Sequence, residues 1–267
     1  MEIEKVLNDG LVLMDSKKSE KNFKLTKRDL DVFSFLLDQK FASLEQIYFY
    51  RFDRRKAVTQ ALPKNLWVTR QRLQKLRTLG FITTERVYTE SKSLYLLTLR
   101  GFQVLQSQRP LDAYALPLKS VDFRSYEHDT RVNDCRIAIE RTGKVMKWIS
   151  ERRIRMKGFE SEYSWEGLPK EVVPDGVFIS SKGERIAFEI ETTPRKKSRY
   201  QDKKWSYESV MRGSQPLIHR VFWVGYTDRV YDDLKEVCGS SKAFYVESYS
   251  HFLGKLWPVA SAKEGVK

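Results

Sequence analysis

From Thr26 onward apolar residues recur at helical spacing. Leu30, Phe33, Leu36 and Leu37 form one stripe, and Thr26 with Asp29 stands in capping-box register at its start. Ser43 and Gln46 repeat that signal and open a short helix through Ile47 and Tyr48. A basic connector follows at Arg51, Arg54, Arg55 and Lys56; residues 57–62 extend or add helix, and Pro63 ends the stretch. The spacing predicts a third helix over about 65–79, stopped by Gly80. The pattern then shortens to two strands, 81–87 and 94–98, around a polar loop, and another helix begins near Arg100 and Gly101. Residues 1–22 are polar without sustained periodicity and read as a loose arm. Residues 108–122, with Pro110 and Pro117, read as a linker.

A second alternation of helix and strand follows. His128, Val132, Cys135 and Ile139 lie on one face of a helix that opens near Tyr126. Residues 145–155 read as a strand. Val177-Phe178-Ile179 and Ile186-Ala187-Phe188 are short apolar strands joined by a turn over 180–183. Residues 192–207 form a basic loop and helix. Val221-Phe222-Trp223-Val224 reads as a central buried strand, 228–237 as a helix and 244–246 as a final strand, with a polar tail over 256–267.

Composition narrows the partners. The 267 residues carry 49 Lys+Arg against 35 Asp+Glu, a formal charge of +14, with 41% hydrophobic and 13% aromatic residues. That describes a globular protein whose positive field attracts nucleic acid or an anionic membrane surface. No apolar run approaches the ~20 residues of a membrane span, and the N-terminus lacks a secretory pattern. Cys135 and Cys238 have no CxxC spacing, which speaks against a zinc site and fits a reducing cytoplasm. Double-stranded DNA is the favoured partner.

The most informative chemistry is Pro174-Asp175-Gly176 followed by Glu189-Ile190-Glu191. Side chains alternate along a strand, so Glu189 and Glu191 share one face, and the hairpin folds Asp175 back beside Glu189. Carboxylates clustered at the ends of apolar strands are costly unless a hard cation or a base neutralises them. His128 reads either as a hydrogen-bonded, half-buried histidine or as a base or ligand at the edge of this cluster. Glu151 reads either as a further acid or as a surface partner of Arg153. On the third helix, Leu73, Leu76 and Leu79 face the core, leaving Arg70, Gln71, Gln74, Lys75 and Arg77 outward, residue types suited to a major groove or to a solvated face.

The acid spacing resembles the PD-(D/E)XK nuclease superfamily, with Asp175 and Glu189 matching its acids and Glu191 standing where that pattern has Lys. Members that move the Lys to the following helix direct attention to Lys196, Lys197, Lys203 and Lys204. The order helix, helix, helix, hairpin, helix resembles a winged helix-turn-helix. The whole, on His128-Asp129, Trp148 to Glu151 and the two acid motifs, resembles the replication-relaxation family and the MOBC-class plasmid relaxases.

The resemblance implies a mixed α/β (α+β), two-domain fold: a winged helix-turn-helix over 23–107 and a restriction-endonuclease-like core with a mixed sheet over 123–255. It implies origin-directed nicking of duplex DNA with a locally single-stranded nick region, alongside other relaxosome or replication proteins. In that frame Asp175, Glu189 and the Ile190 carbonyl hold Mg2+ or Mn2+. Glu191, His128, Glu151 or Lys196 assists the chemistry, and Lys197, Arg199 and Lys203 clamp the backbone. A tyrosine nucleophile, with Tyr200 and Tyr207 beside the site, stays open. So does a non-catalytic DNA-binding regulator with a degenerate core, or an adaptor that docks proteins.

Overall fold

The computed structural model describes residues 23–52, 66–89, 91–108, 116–156, 165 and 168–256. The arm, the basic connector beyond Phe52 and the helix expected over 57–62 lie outside the described residues, as does nearly all of the tail. The fold is mixed α+β, with two sheets and two compact units.

The first unit contains α1 (Lys27–Gln39), β1 (Ala42–Ser43), α2 (Leu44–Ile47) running into a π-helical turn, α3 (Leu66–Thr78), β2 (Ile82–Glu85), β3 (Leu94–Leu97) and α4 (Leu99–Gln108). Both expected capping boxes form: Thr26 with Asp29, and Ser43 with Gln46. The three strands lie in the order β1-β3-β2, all antiparallel. Phe33, Leu36, Phe41, Leu73, Leu76 and Phe81 fill the core.

Two devices fix α3. Asp29, almost wholly buried, accepts from Thr26 and also takes both guanidinium arms of Arg72, with Nε at 3.0 Å from Oδ1. This bidentate pair ties the start of α1 to α3. At the far end, the chain leaves α3 through Gly80 in the left-handed region (φ 75°), where only glycine is unstrained. Arg100 donates to the Leu79 carbonyl at 2.7 Å, and Thr98 Oγ1 donates to the Gly80 carbonyl at 2.6 Å. Residues 116–121, expected as linker, belong to this unit: the Val121 N–H donates to Glu85 Oε2 at 3.0 Å.

The second unit contains α5 (Tyr126–Arg141), β4 (Val145–Ser150), α6 (Glu151–Arg155), a 3-10 turn (Lys170–Val172), β5 (Gly176–Ser180) and β6 (Arg185–Glu191). It continues through α7 (Lys197–Val210), β7 (Arg220–Gly225), α8 (Asp228–Cys238), β8 (Phe244–Ser248) and α9 (Tyr249–Leu256). Its sheet runs β4-β5-β6-β7-β8, antiparallel from β4 to β6 and parallel from β6 to β8. The parallel steps cross through α7 and α8. Both cover one face, packing Tyr200, Tyr207, Val230 and Leu234 against Val221 and Trp223. On the other face α5 and α9 pack Val132, Cys135, Ile139 and Phe252 against Trp148, Phe188 and Phe222. Val132, Cys135 and Ile139 thus keep the shared face that their spacing predicted.

The strand expected over 145–155 ends at Ser150. Its hydroxyl caps α6 by accepting from the Arg153 N–H, so Glu151 begins a helix. The cap satisfies an otherwise orphaned helix N–H, which alternation alone does not foresee. Among the described residues no helix is long and apolar enough to cross a membrane.

Gly176 explains the third residue of Pro-Asp-Gly. A Cβ there would stand 2.3 Å from the Trp148 ring, which lies flat beside β5 and stacks on Phe178 at 6.4 Å. A Gly176→Ala substitution is expected to cost about 1–3 kcal/mol through overpacking. Chemical denaturation of the variant checks this; an unchanged midpoint would show that Trp148 moves aside freely.

Candidate active site

The hairpin β5–β6 sets the site. Gly176 pairs with Phe188, so Asp175 falls just beyond the ladder, level with Glu189. Asp175 Oδ2 accepts from the Ile190 N–H at 2.8 Å, and Oδ1 faces His128 Nε2 at 3.3 Å. Here β6 outruns β5, and the Asp175 carboxylate takes the place of the missing strand.

Glu189 and Glu191 point to the α7 face, as alternation requires. Lys203 of α7 reaches both, donating to Glu189 Oε2 at 2.8 Å and to Glu191 Oε1 at 3.2 Å. The Tyr207 hydroxyl donates to Glu189 Oε1, and Arg195 Nε stands 3.3 Å from Glu191 Oε2. Trp223, level with Glu189 on β7, places its ring 5.6 Å from Lys203 Nζ. Glu189 is 2% exposed.

The electrostatics follow from that burial. Desolvation raises the Glu189 pKa to about 7; Lys203 opposes the rise and neighbouring Asp175 adds to it. Burial would lower the Lys203 pKa, but Glu189, Glu191 and Asp175 more than reverse this, so the ammonium stays firmly protonated. Asp175 behaves oppositely to Glu189. Burial favours its neutral form, yet His128, then Lys203 and the Ile190 N–H, hold its pKa below the ordinary 3.8. Burial would likewise lower His128, but the carboxylates of Asp175 and Asp129 bring it to about 11. His128 is therefore an imidazolium at neutral pH, a donor and not a base.

The structure brings Asp175, Glu189, Glu191 and His128 together. It does not bring in Glu151 or Lys196. The Glu151 N–H lies near Asp175, donating to its backbone carbonyl at 3.3 Å, but the side chain pairs with Arg155, one helical turn on. Its expected partner was Arg153, on the strand that ended one residue earlier. Lys196 is exposed at the N-cap position of α7. Lys197 is bound to Glu236 and Asp233 of α8, so it braces two helices. Arg199 is exposed. Lys203, expected as a backbone clamp, instead grips the two glutamates. Tyr200 and Tyr207 are buried, and burial followed by Glu189 holds the Tyr207 hydroxyl well above its ordinary pKa. Neither is presented as a nucleophile.

Sequence reasoning missed the pairing of Tyr207 with Glu189. The signal was present: Tyr200, Lys203 and Tyr207 stand three and four residues apart, one face of a helix. In the first unit, Arg70, Gln71, Gln74, Lys75 and Arg77 are all exposed on α3, while Leu73 and Leu76 are buried and Leu79 is half-buried.

Among the described residues no three His, Cys, Asp or Glu side chains form a ready-made metal cage. The residues do suit a hard cation in another way. Asp175 and Glu189 supply adjacent carboxylates, and the Ile190 peptide edge lies against Asp175, beyond the end of β5. Burial outweighs Lys203 at Glu189, so its negative charge is under-compensated and an added cation would relieve it.

Fold and site together define a mixed α+β protein with a buried carboxylate–lysine centre at the end of its larger sheet. The chain belongs to the replication-relaxation family, whose model matches residues 33–221. Membership suggests a role in plasmid replication or relaxation. No curated protein and no solved structure matches the chain.

The raised Glu189 pKa has a measurable consequence. The folded chain favours protonated Glu189, a contribution to stability complete below pH 4.5 and lost as pH rises through about 7. Glu189→Gln cannot ionise. Its melting temperature minus that of the wild type is expected to climb between pH 4.5 and 7 and then level off. A flat difference across that window would mean that Glu189 titrates as an ordinary glutamate.

Proposed function

We propose that this protein is a metal-dependent, sequence-directed DNA nickase of the relaxase type, acting at an origin of transfer or replication on a plasmid or integrative element. One observation carries the reading: Asp175 and Glu189 are joined by the hairpin, and Lys203 reaches the acids from the next helix. That is an acid, hairpin, acid and lysine set of the PD-(D/E)XK type, with the lysine displaced from the strand onto α7. Family membership and the +14 charge support it.

Asp175, Glu189 and the Ile190 carbonyl would hold Mg2+ or Mn2+. When bound, such an ion polarises the scissile phosphate and stabilises charge developing on it. Lys203 Nζ lies between Glu189 and Glu191 and is placed to hold a phosphate oxygen or the attacking water. Glu191 accepts that water's proton. His128, kept as a cation between Asp175 and Asp129, fixes the Asp175 carboxylate in its ionised form as a ligand.

The first unit supplies address. An α-helix followed by a hairpin, with β1 on the far edge of that hairpin, is the layout of a winged helix. Arg70, Gln71, Gln74, Lys75 and Arg77 then meet the major groove. Lys196 and Arg199, exposed at the start of α7, meet backbone phosphates.

Incubating supercoiled plasmid carrying the cognate origin with Mn2+ tests the chemistry. Wild type is expected to yield nicked circles, and Asp175→Asn and Lys203→Met to lower the rate by roughly 10²-fold or more while duplex binding in a gel shift persists. Undiminished nicking by Asp175→Asn sinks the mechanism. Intact binding without any nicking by wild type leaves a DNA-binding regulator. For the address, Arg70→Ala is expected to relax preference at one base pair by about 1–3 kcal/mol, and Lys75→Ala to reduce the salt slope of binding by about one. Competition gel shifts over a salt series measure both.

A further inference from the structure

The face of the larger sheet away from Lys203 carries a second feature, at the opposite end of the strands. A cavity of about 990 Å3 opens between the last turn of α5, at Ile139, and Phe252 of α9. Phe178, Ile186 and Phe222 form its floor, and Tyr245 and Phe252 rise beside Phe222, with ring centroids 5.3 and 5.1 Å away. Phe178 meets Phe222 edge-on at 6.5 Å. The result is a run of rings crossing β5, β7 and β8. Tyr245 is 61% exposed although it stands in this aromatic row.

Two cations flank the floor. Lys144, just past the end of α5, and Lys242, just before β8, both line the cavity and are exposed. Among the described residues neither ammonium has a hydrogen-bond or ion-pair partner. The other charged groups lining the cavity are engaged: Arg220 pairs with Glu184 at 3.2 Å, and Glu247 with His251 at 2.9 Å. A third lysine, Lys182, is exposed in the adjoining β5–β6 turn, which is bonded to the Lys144 carbonyl through the Ser181 N–H.

An exposed tyrosine ring beside half-buried Phe178 and Phe252, framed by two exposed ammonium groups, suits a ligand with flat apolar faces and regularly placed negative charge. A single strand of DNA has both, and stacking tolerates any base because each has a π-face. A duplex keeps its bases stacked on one another, out of reach of such a floor. We propose that this cavity binds single-stranded DNA, stacking a base on Tyr245 and Phe178 while Lys144 and Lys242 take the flanking phosphates. The proposal draws the class of ligand from the DNA reading above and is otherwise independent of the carboxylate chemistry. The two places are linked rigidly. β6 runs from Ile186 in the cavity floor to Glu189, about 10 Å along one strand. The cavity can therefore hold one strand of an opened duplex at a fixed offset from the carboxylates.

The test is fluorescence anisotropy of a labelled dT12 oligonucleotide with the full-length protein, in EDTA so that no cutting occurs. Binding is expected to fall with salt. Tyr245→Ala is expected to weaken it about tenfold. The double change Lys144→Gln with Lys242→Gln is expected to flatten the salt slope by roughly 1.4. All three side chains are exposed, and unchanged melting curves confirm that the variants fold. Lys235→Gln, an exposed lysine on α8 outside the cavity lining, is expected to bind dT12 as wild type does, which separates this site from a general loss of surface charge. A 5-bromodeoxyuridine 12-mer is expected to crosslink to peptides containing Tyr245 or Phe178. Wild-type affinity in both the tyrosine and lysine variants overturns the proposal, as do crosslinks confined to other peptides. Displacement of dT12 by equimolar dTMP also overturns it, in favour of a mononucleotide pocket. Nicking that fails while dT12 binding behaves as described would sink the nickase and leave this site standing.

Discussion

A carboxylate almost wholly removed from water, Glu189, is the constraint around which the larger unit is arranged. It stands on a central strand of the five-stranded sheet, level with the buried indole of Trp223. An isolated ion in such a place is expensive, so its neighbours must answer it. Lys203 and Tyr207 do so from α7. Both must be in register, which dictates how α7 rotates on the sheet and where it begins. Lys197 then holds α7 to α8 through Asp233 and Glu236. The helix that neutralises the acid is thereby also the crossover that makes β6 and β7 parallel.

The same arrangement separates two chemically identical groups. Asp175 lies at a strand end with a histidine, a backbone N–H and a lysine in range, and stays ionised well below neutrality. Glu189 lies deeper, and burial outweighs its partners. Two carboxylates at one strand end are thus driven apart in proton affinity: burial raises both, and His128 reverses the rise only at Asp175. The pattern of one firmly charged acid beside one poised near neutral is common where chemistry is done. It also explains the state of His128. A histidine facing a fixed anion, with a second at its other nitrogen, holds its proton, so the base suggested by its position on α5 becomes a cation in the fold.

Much of this was legible along the chain. The capping boxes, the break at Gly80 and the hairpin that folds Asp175 toward Glu189 are local, depending on residues within a few positions of one another. The shared face of Glu189 and Glu191 follows from the period of a strand. What was not legible depends on contacts between elements. Lys203 sits among several lysines and arginines between 195 and 204, and only the packing of α7 on Trp223 selects it. Glu151 could not be placed because Ser150 ends a strand by capping a helix, and the same short sequence is compatible with both. Residues 116–121 carry a proline and polar groups, as linkers do, yet one N–H finds Glu85. Gly176 was read as part of a motif, while its cause is the ring of Trp148, contributed by a neighbouring strand nearly thirty residues earlier.

The two ends of the larger sheet differ in what encloses them, and the difference bears on how each is used. All the side chains of the carboxylate centre, from His128 to Tyr207, fall within the segment matched by the replication-relaxation family, 33–221. The aromatic cavity draws Lys144, Phe178 and Ile186 from that segment, but Phe222, Lys242, Tyr245 and Phe252 follow it. A centre that must hold buried charge needs every partner fixed at once, because one missing group leaves an ion unanswered. A stacking surface needs only exposed rings and nearby cations, so it can be assembled from the terminal strand and helix laid on an existing sheet. On the proposed reading, cutting chemistry and strand capture share β6 as a common ruler while remaining free to vary separately. A change in the last two elements would then alter how an opened strand is held without disturbing the acids that act on it.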